Sequence, residues 1–124
     1  MKEELSACEA PIMKLVWESD SDISVPELIN QVNVQLGKEY ARTTVVTFLT
    51  RLAQKGYIET KRQGRVSYVH ALKSEKEYKQ MLAQREIAFW FHGNLSEFIQ
   101  GLWASAPLVV IERIRVSVLL DLMD

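Results

Sequence analysis

A chain of 124 residues, 48% hydrophobic and 25% charged, is long enough for one compact domain with an appended element and too apolar to remain disordered. Its single cysteine, Cys8, excludes an intramolecular disulfide framework and a thiolate-rich zinc site, and fits a reducing cytoplasm. A net charge of −1 argues at first against a nucleic-acid partner, and the absence of a long apolar run argues against a signal peptide or a membrane span.

The first predicted element is a helix. Ser6 and Glu9 have the spacing of a capping box, and Cys8, Ile12, Leu15 and Val16 form its apolar stripe, with Trp17 closing the end. Pro11 falls early, where its missing N–H costs little. Ser19-Asp20-Ser21-Asp22 reads as a loop. Ser24 and Glu27 make a second capping box, Pro26 follows at the helix start, and Val25, Leu28, Ile29, Val32 and Leu36 give the buried face. Gly37-Lys38-Glu39-Tyr40 is the turn into the third helix.

In the third helix, Val45, Phe48, Leu49 and Leu52 fall at i, i+3, i+4, i+7 and make one apolar face. The opposite face carries Arg42, Thr43, Val46, Thr47, Thr50 and Arg51, with no acidic residue. Short hydroxyls flanked by arginines suit close approach to a polyanion, with hydroxyls reaching phosphates or base edges. Taken alone, the pattern describes a solvated helix equally well; residues 56–71 decide between the two.

Gly56, after Lys55, stands where a left-handed C-terminal cap belongs. Ile58 and Thr60, then Val66, Tyr68 and His70, alternate with more polar residues on two short strands, and Gln63-Gly64 supplies a tight turn. The tip carries Lys61, Arg62 and Arg65 around that glycine. A helix followed by a basic-tipped hairpin is the order of a winged helix-turn-helix, whose tip meets the sugar-phosphate backbone beside the groove that the helix enters.

The charge distribution supports this order. Residues 1–37 hold 2 basic and 7 acidic side chains, residues 38–73 hold 8 basic and 2 acidic, and residues 74–124 hold 5 basic and 7 acidic. Positive charge is thus concentrated in the third helix and hairpin, and a local patch is what counts when salt screens charge over roughly 8 Å.

Beyond the hairpin, Ser74 and Glu77 form a third capping box. A helix follows through Tyr78, Met81, Leu82, Arg85, Ile87, Ala88 and Phe89 to about His92, with Gly93 as terminator. Phe89, Trp90 and Phe91 surround that helix with rings, which one face cannot bury, so a partner subunit is the expected cover. Leu95, Phe98, Ile99, Leu102 and Trp103 form the next stripe, and after Pro107 a last helix carries Leu108, Ile111, Ile114, Arg115, Val118, Leu119 and Leu122. The expected architecture is mainly α with a small β-hairpin: a winged-helix DNA-binding domain over residues 1–73 and a helical dimerisation domain over 74–124.

The opening helix Leu5-Ser6-Ala7-Cys8-Glu9-Ala10-Pro11-Ile12-Met13-Lys14-Leu15-Val16-Trp17, the segment from Thr44 to Leu52, and Gly64-Arg65-Val66-Ser67-Tyr68 together resemble the penicillinase-repressor group. That group includes the methicillin-resistance and copper-responsive repressors, and the resemblance runs from about Leu5 to about Leu102. It implies a cytoplasmic homodimer that blocks transcription on a palindromic double-stranded operator, each protomer reading one half-site in the major groove. By position, Arg42, Thr43, Thr44 and Thr47 would face bases or their phosphates, and Arg51, Arg62 and Arg65 the backbone. The family often has lysine where this chain has Thr43 and a basic or polar residue where it has Val46, which here offers an apolar contact for a thymine methyl. In the antibiotic-sensing branch a sensor-linked protease cuts the dimer domain; the equivalent bond is Gly101–Leu102, where the family's usual pair is Asn-Phe. The copper-responsive branch carries a cysteine cluster, for which Cys8 alone is no substitute.

The remaining candidates are weak. His70 and His92 lack partners at metal-ligand spacing, and Cys8 on the apolar stripe reads as a small core residue. With no Ser-His-Asp order, phosphate loop or paired carboxylates, no enzyme and no cofactor are expected. Two other functions fit the same elements: a winged-helix adaptor that binds protein and no DNA, and a ligand-sensing regulator with a pocket between its domains.

Overall fold

In the computed structural model, which describes residues 4–105 together with Arg115, Val118 and Leu119, the elements follow the order of a winged helix. Helix α1 spans Glu9–Glu18, strand β1 Ile23–Ser24, α2 Val25–Gln35 and α3 Arg42–Gln54. The capping box before α1 closes reciprocally. The Ser6 amide donates to Glu9 Oε1 at 2.9 Å and the Glu9 amide to Ser6 Oγ at 3.2 Å. Ser24 Oγ accepts from the Glu27 amide at 3.2 Å, while the Glu27 carboxylate takes the Gln31 side chain instead of closing the box. In the turn before α3, Asn33 accepts from the Tyr40 amide and donates to the Tyr40 carbonyl. That clamp satisfies both backbone groups of a residue the helices leave unpaired.

The three helices bury one core. Ile12, Met13, Leu15 and Val16 of α1 meet Val25, Leu28 and Val32 of α2 and Val45, Leu49 and Leu52 of α3. Strands β2 (Ile58–Gln63) and β3 (Val66–Ala71) cover it with Ile58 and Val69. The expected two-stranded hairpin is a three-stranded antiparallel sheet of order β1-β3-β2, with Ile23 opposite Val69 and Ser24 opposite Tyr68. The face assignment of β3 also differs from expectation. Val69 points inward, opposite Thr60, whereas Val66, Tyr68 and His70 lie on the other face and are only half-buried. The hairpin loop is Gly64-Arg65, one residue later than expected. Gln63 still pairs with Val66, and Gly64 has φ +65°, which suits the first position of a two-residue loop. Cys8, expected in the core, is exposed: it sits in the turn before α1, ahead of the helical period, and Glu9 and Met13 are buried instead.

The chain divides into two compact units, Met1–Leu82 and Ala83–Asp124. Helix α4 (Glu75–Phe91) begins in the first, capped by Ser74 and Glu77 as expected. There the Tyr78 ring stands 5.7 Å from Tyr57 and 5.8 Å from Trp17, and its hydroxyl accepts from the Leu5 amide at 3.1 Å. Within the second unit α4 ends at a pair of left-handed residues, His92 (φ 55°) and Gly93 (φ 75°). Asn94 then caps α5 (Leu95–Ser105) by accepting from the Glu97 amide at 3.1 Å. The expected last helix, with Ile111 and Ile114, falls largely outside the described residues, as do the side chains of Leu102 and Trp103; Arg115, Val118 and Leu119 are helical.

Candidate nucleic-acid interface

Helix α3 is held from below and behind, which leaves its outer face free. Val45 and Leu52 are fully buried and Leu49 nearly so. The C-terminus is a Schellman cap: Gly56 has φ +84°, the Tyr57 amide donates to the Leu52 carbonyl and the Gly56 amide to the Ala53 carbonyl, both at 3.0 Å. Lys55, at the C-cap, extends to Glu9 Oε1 at 2.5 Å and to the Glu4 carbonyl at 3.1 Å. This ion pair ties the end of α3 to the start of α1, and Glu9 is only 2% exposed. Burial alone would raise its carboxyl pKa, but the Lys55 ammonium, helped by hydrogen bonds from Ser6, holds it below its ordinary 4.5. The capping-box spacing marks Glu9 but not its partner, because a contact 46 residues apart leaves no local pattern.

At the other end, the N-cap residue Ala41 offers no side-chain hydrogen bond, and the first turn of α3 has no acid. The positive end of the helix dipole is thus neutralised by no side chain of its own first turn. Along the outer face Arg42, Thr43, Val46, Thr47, Thr50 and Arg51 are exposed, and Thr44 is half-buried. Thr47 Oγ1 donates to the Thr43 carbonyl at 2.9 Å and Thr50 Oγ1 to the Val46 carbonyl at 3.0 Å. Both hydroxyl hydrogens are thus engaged with the helix itself.

The hairpin places Lys61, Arg62 and Arg65 at its exposed far end. Arg62 Nε donates to the Gly64 carbonyl at 3.2 Å and Lys61 lies 3.3 Å from Glu59. Among the described residues, Arg42, Arg51 and Arg65 have no acidic partner. Between α3 and the sheet lies an open cleft of about 320 Å³ that the sequence does not announce. It is lined by Val25 of α2, by Arg42, Val46, Leu49, Thr50 and Ala53 of α3, and by Thr60 and Ser67 of the sheet. In the sequence Thr60 and Ser67 are ordinary strand residues, and only the tertiary placement of the sheet brings them beside α3.

In the second unit Phe89 and Trp90 are 72% and 63% exposed and stack edge-to-face at 4.7 Å. Phe91 packs on Phe98 at 5.4 Å, Ile99 is half-buried, and Val118 is exposed. Gly101 and Leu102 lie inside α5. Elsewhere, His70 Nδ1 is 2.8 Å from Asp22 Oδ1, and among the described residues no cluster of three or more His, Cys, Asp or Glu could hold a metal ion. No helix among them is long and apolar enough to cross a membrane.

The penicillinase repressor family model matches residues 5–120. The chain belongs to that family. Methicillin resistance regulatory protein MecI of Staphylococcus aureus strain N315 is 24% identical to it over 96 residues, 77% of this chain and 76% of MecI. MecI of Mammaliicoccus sciuri is 23% identical over the same length. Among solved structures, the DNA binding domain of the repressor BlaI matches at 27% identity with a TM-score of 0.54, covering 63% of this chain and 92% of that domain. The family is one of repressors, and the winged-helix fold of the first unit is the fold of the BlaI domain.

Proposed function

We propose that this protein is a transcriptional repressor that binds a palindromic double-stranded operator as a homodimer, in the cytoplasm, with α3 in the major groove and the β2–β3 tip on the backbone beside it. The observation that carries the reading is the acid-free outer face of α3, uncapped at its N-terminus and flanked by the exposed cations of the hairpin. Family membership and the fold shared with the BlaI domain support it. The exposed Phe89–Trp90 pair supports a homodimer, since two large rings left to water are covered most simply by their own copies across a two-fold axis. Relief of repression by a sensor-linked protease acting at Gly101–Leu102 would require α5 to unwind first, because that bond lies within the helix.

The reading is tested by mobility shift on promoter DNA across a salt series. Binding should weaken steeply as salt rises, since each phosphate neutralised releases condensed counterions. Arg65→Ala should reduce the log–log slope by about one per half-site while leaving sequence preference unchanged. The absence of salt-sensitive DNA binding argues for a protein-binding adaptor instead, and an Arg65→Ala slope equal to the parent's removes the hairpin tip from the backbone. Sedimentation of Trp90→Glu should show monomers where the parent is dimeric; a parent that is monomeric at micromolar concentration removes the homodimer.

A further inference from the structure

The cleft beside α3 is chemically unlike the rest of the basic face. Val25, Val46, Leu49 and Ala53 give it an apolar side, Thr50, Thr60 and Ser67 a hydroxyl-bearing one, and Val46 remains 39% exposed. Arg42 stands at the same side of the helix. Thr50, which also lines the cleft, and Thr47 on the adjoining outer face donate their hydroxyl hydrogens to the carbonyls of Val46 and Thr43, so they offer a base edge lone pairs and not donors. Guanine presents two acceptors to the major groove and is read by donors, whereas adenine and cytosine present an amino group and thymine a methyl. At Thr47 and Thr50 the helix therefore offers acceptors and at Val46 an apolar surface, which suits an amino-bearing base beside a thymine, while its guanidinium donors stand apart at Arg42 and Arg51.

The geometry points to this cleft as a thymine-methyl site, one per half-site, with an amino-bearing base set beside it against Thr47 and Thr50. The thymine methyl lies on the major-groove edge near its own strand's backbone, so a methyl seated against Val46 brings the adjoining phosphate toward Arg42 and the hydroxyls of Thr60 and Ser67. This inference rests on the DNA-binding reading and adds to it which base the protein selects.

The test uses the full chain and duplexes that it selects from a randomised pool. Uracil replaces thymine one position at a time, which removes only the 5-methyl group. One position in each half-site should then weaken binding about fourfold, the value of one buried methyl. Val46→Ala, which removes the contact in both half-sites of the homodimer, should lose about the square of that factor on the thymine duplex and no longer distinguish thymine from uracil. Tolerance of uracil at every position overturns the thymine site while salt-sensitive binding keeps the repressor reading. So does a selected half-site whose centre is a guanine that cannot be replaced by 7-deazaguanine. No salt-sensitive binding to any duplex overturns both.

Discussion

Leu52→Ala is expected to destabilise the first unit by about 3–5 kcal/mol, the upper range for a buried leucine. Leu52 has no exposed surface and sits on the last turn of α3, where its carbonyl also accepts the Tyr57 amide of the Schellman cap. Removing its side chain empties a site bounded by rigid elements on several sides, so the core has little room to close over the void. Domains of this size have total stabilities of roughly 5–15 kcal/mol, so the loss is a large share of the whole. Thermal unfolding followed by circular dichroism should show a midpoint lowered by about 10 °C or more. Below that midpoint, affinity for DNA should be little changed, because Leu52 lies on the buried side of α3, away from its exposed face. An unshifted midpoint would mean that α3 does not rest on the core through this residue.

The Glu9–Lys55 pair gives the second large effect, and it depends on pH. Glu9→Ala removes the carboxylate that accepts both the Lys55 ammonium and the Ser6 amide. It leaves a largely buried cation unpaired, at an expected cost of about 3 kcal/mol. Glu9→Gln keeps an acceptor for the Ser6 amide and should cost less. Because the folded protein holds the Glu9 carboxyl below its ordinary 4.5, the unfolded chain takes up this proton first as pH falls. The pair's contribution is therefore fully present above about pH 4.5 and is lost as pH drops through the lower folded value. Urea midpoints measured from pH 7 to pH 3 should fall less steeply in Glu9→Gln than in the parent. Parallel curves would show that the pair carries no linked proton.

Much of this fold is legible because its signals are local. The helices α1, α2 and α3 follow from apolar spacing, and the caps at Ser6, Ser24, Ser74 and Gly56 lie within a few residues of what they cap. What escapes depends on distant partners or on the ends of a pattern. Strand β1 is two residues long, too short to show alternation, and exists because Ile23 finds Val69. In Val66-Ser67-Tyr68-Val69-His70-Ala71 both faces carry apolar or aromatic side chains, so alternation alone cannot choose the inward one. Cys8 joins the apolar stripe only if the helical period is extended one residue past the helix start. At the interface, the acid-free face of α3 is readable from spacing. The cleft is not, since Val25, Val46, Thr60 and Ser67 come from four separate elements.

Strand β1 also sets how the hairpin behaves as a lever. It pairs with β3 only at Tyr68 and Val69, so beyond that point Arg62–Gln63 and Val66–Ser67 have no strand partner but each other. The inner half is built into the same sheet that roofs the core, while the outer half is a two-stranded ribbon of the kind that is marginal on its own and free to twist. The three cations at its end thus ride on a springy cantilever with a fixed root. In the complex proposed above, such an arm would settle onto duplexes of differing groove width without disturbing α3, the tip contributing grip while the helix retains discrimination.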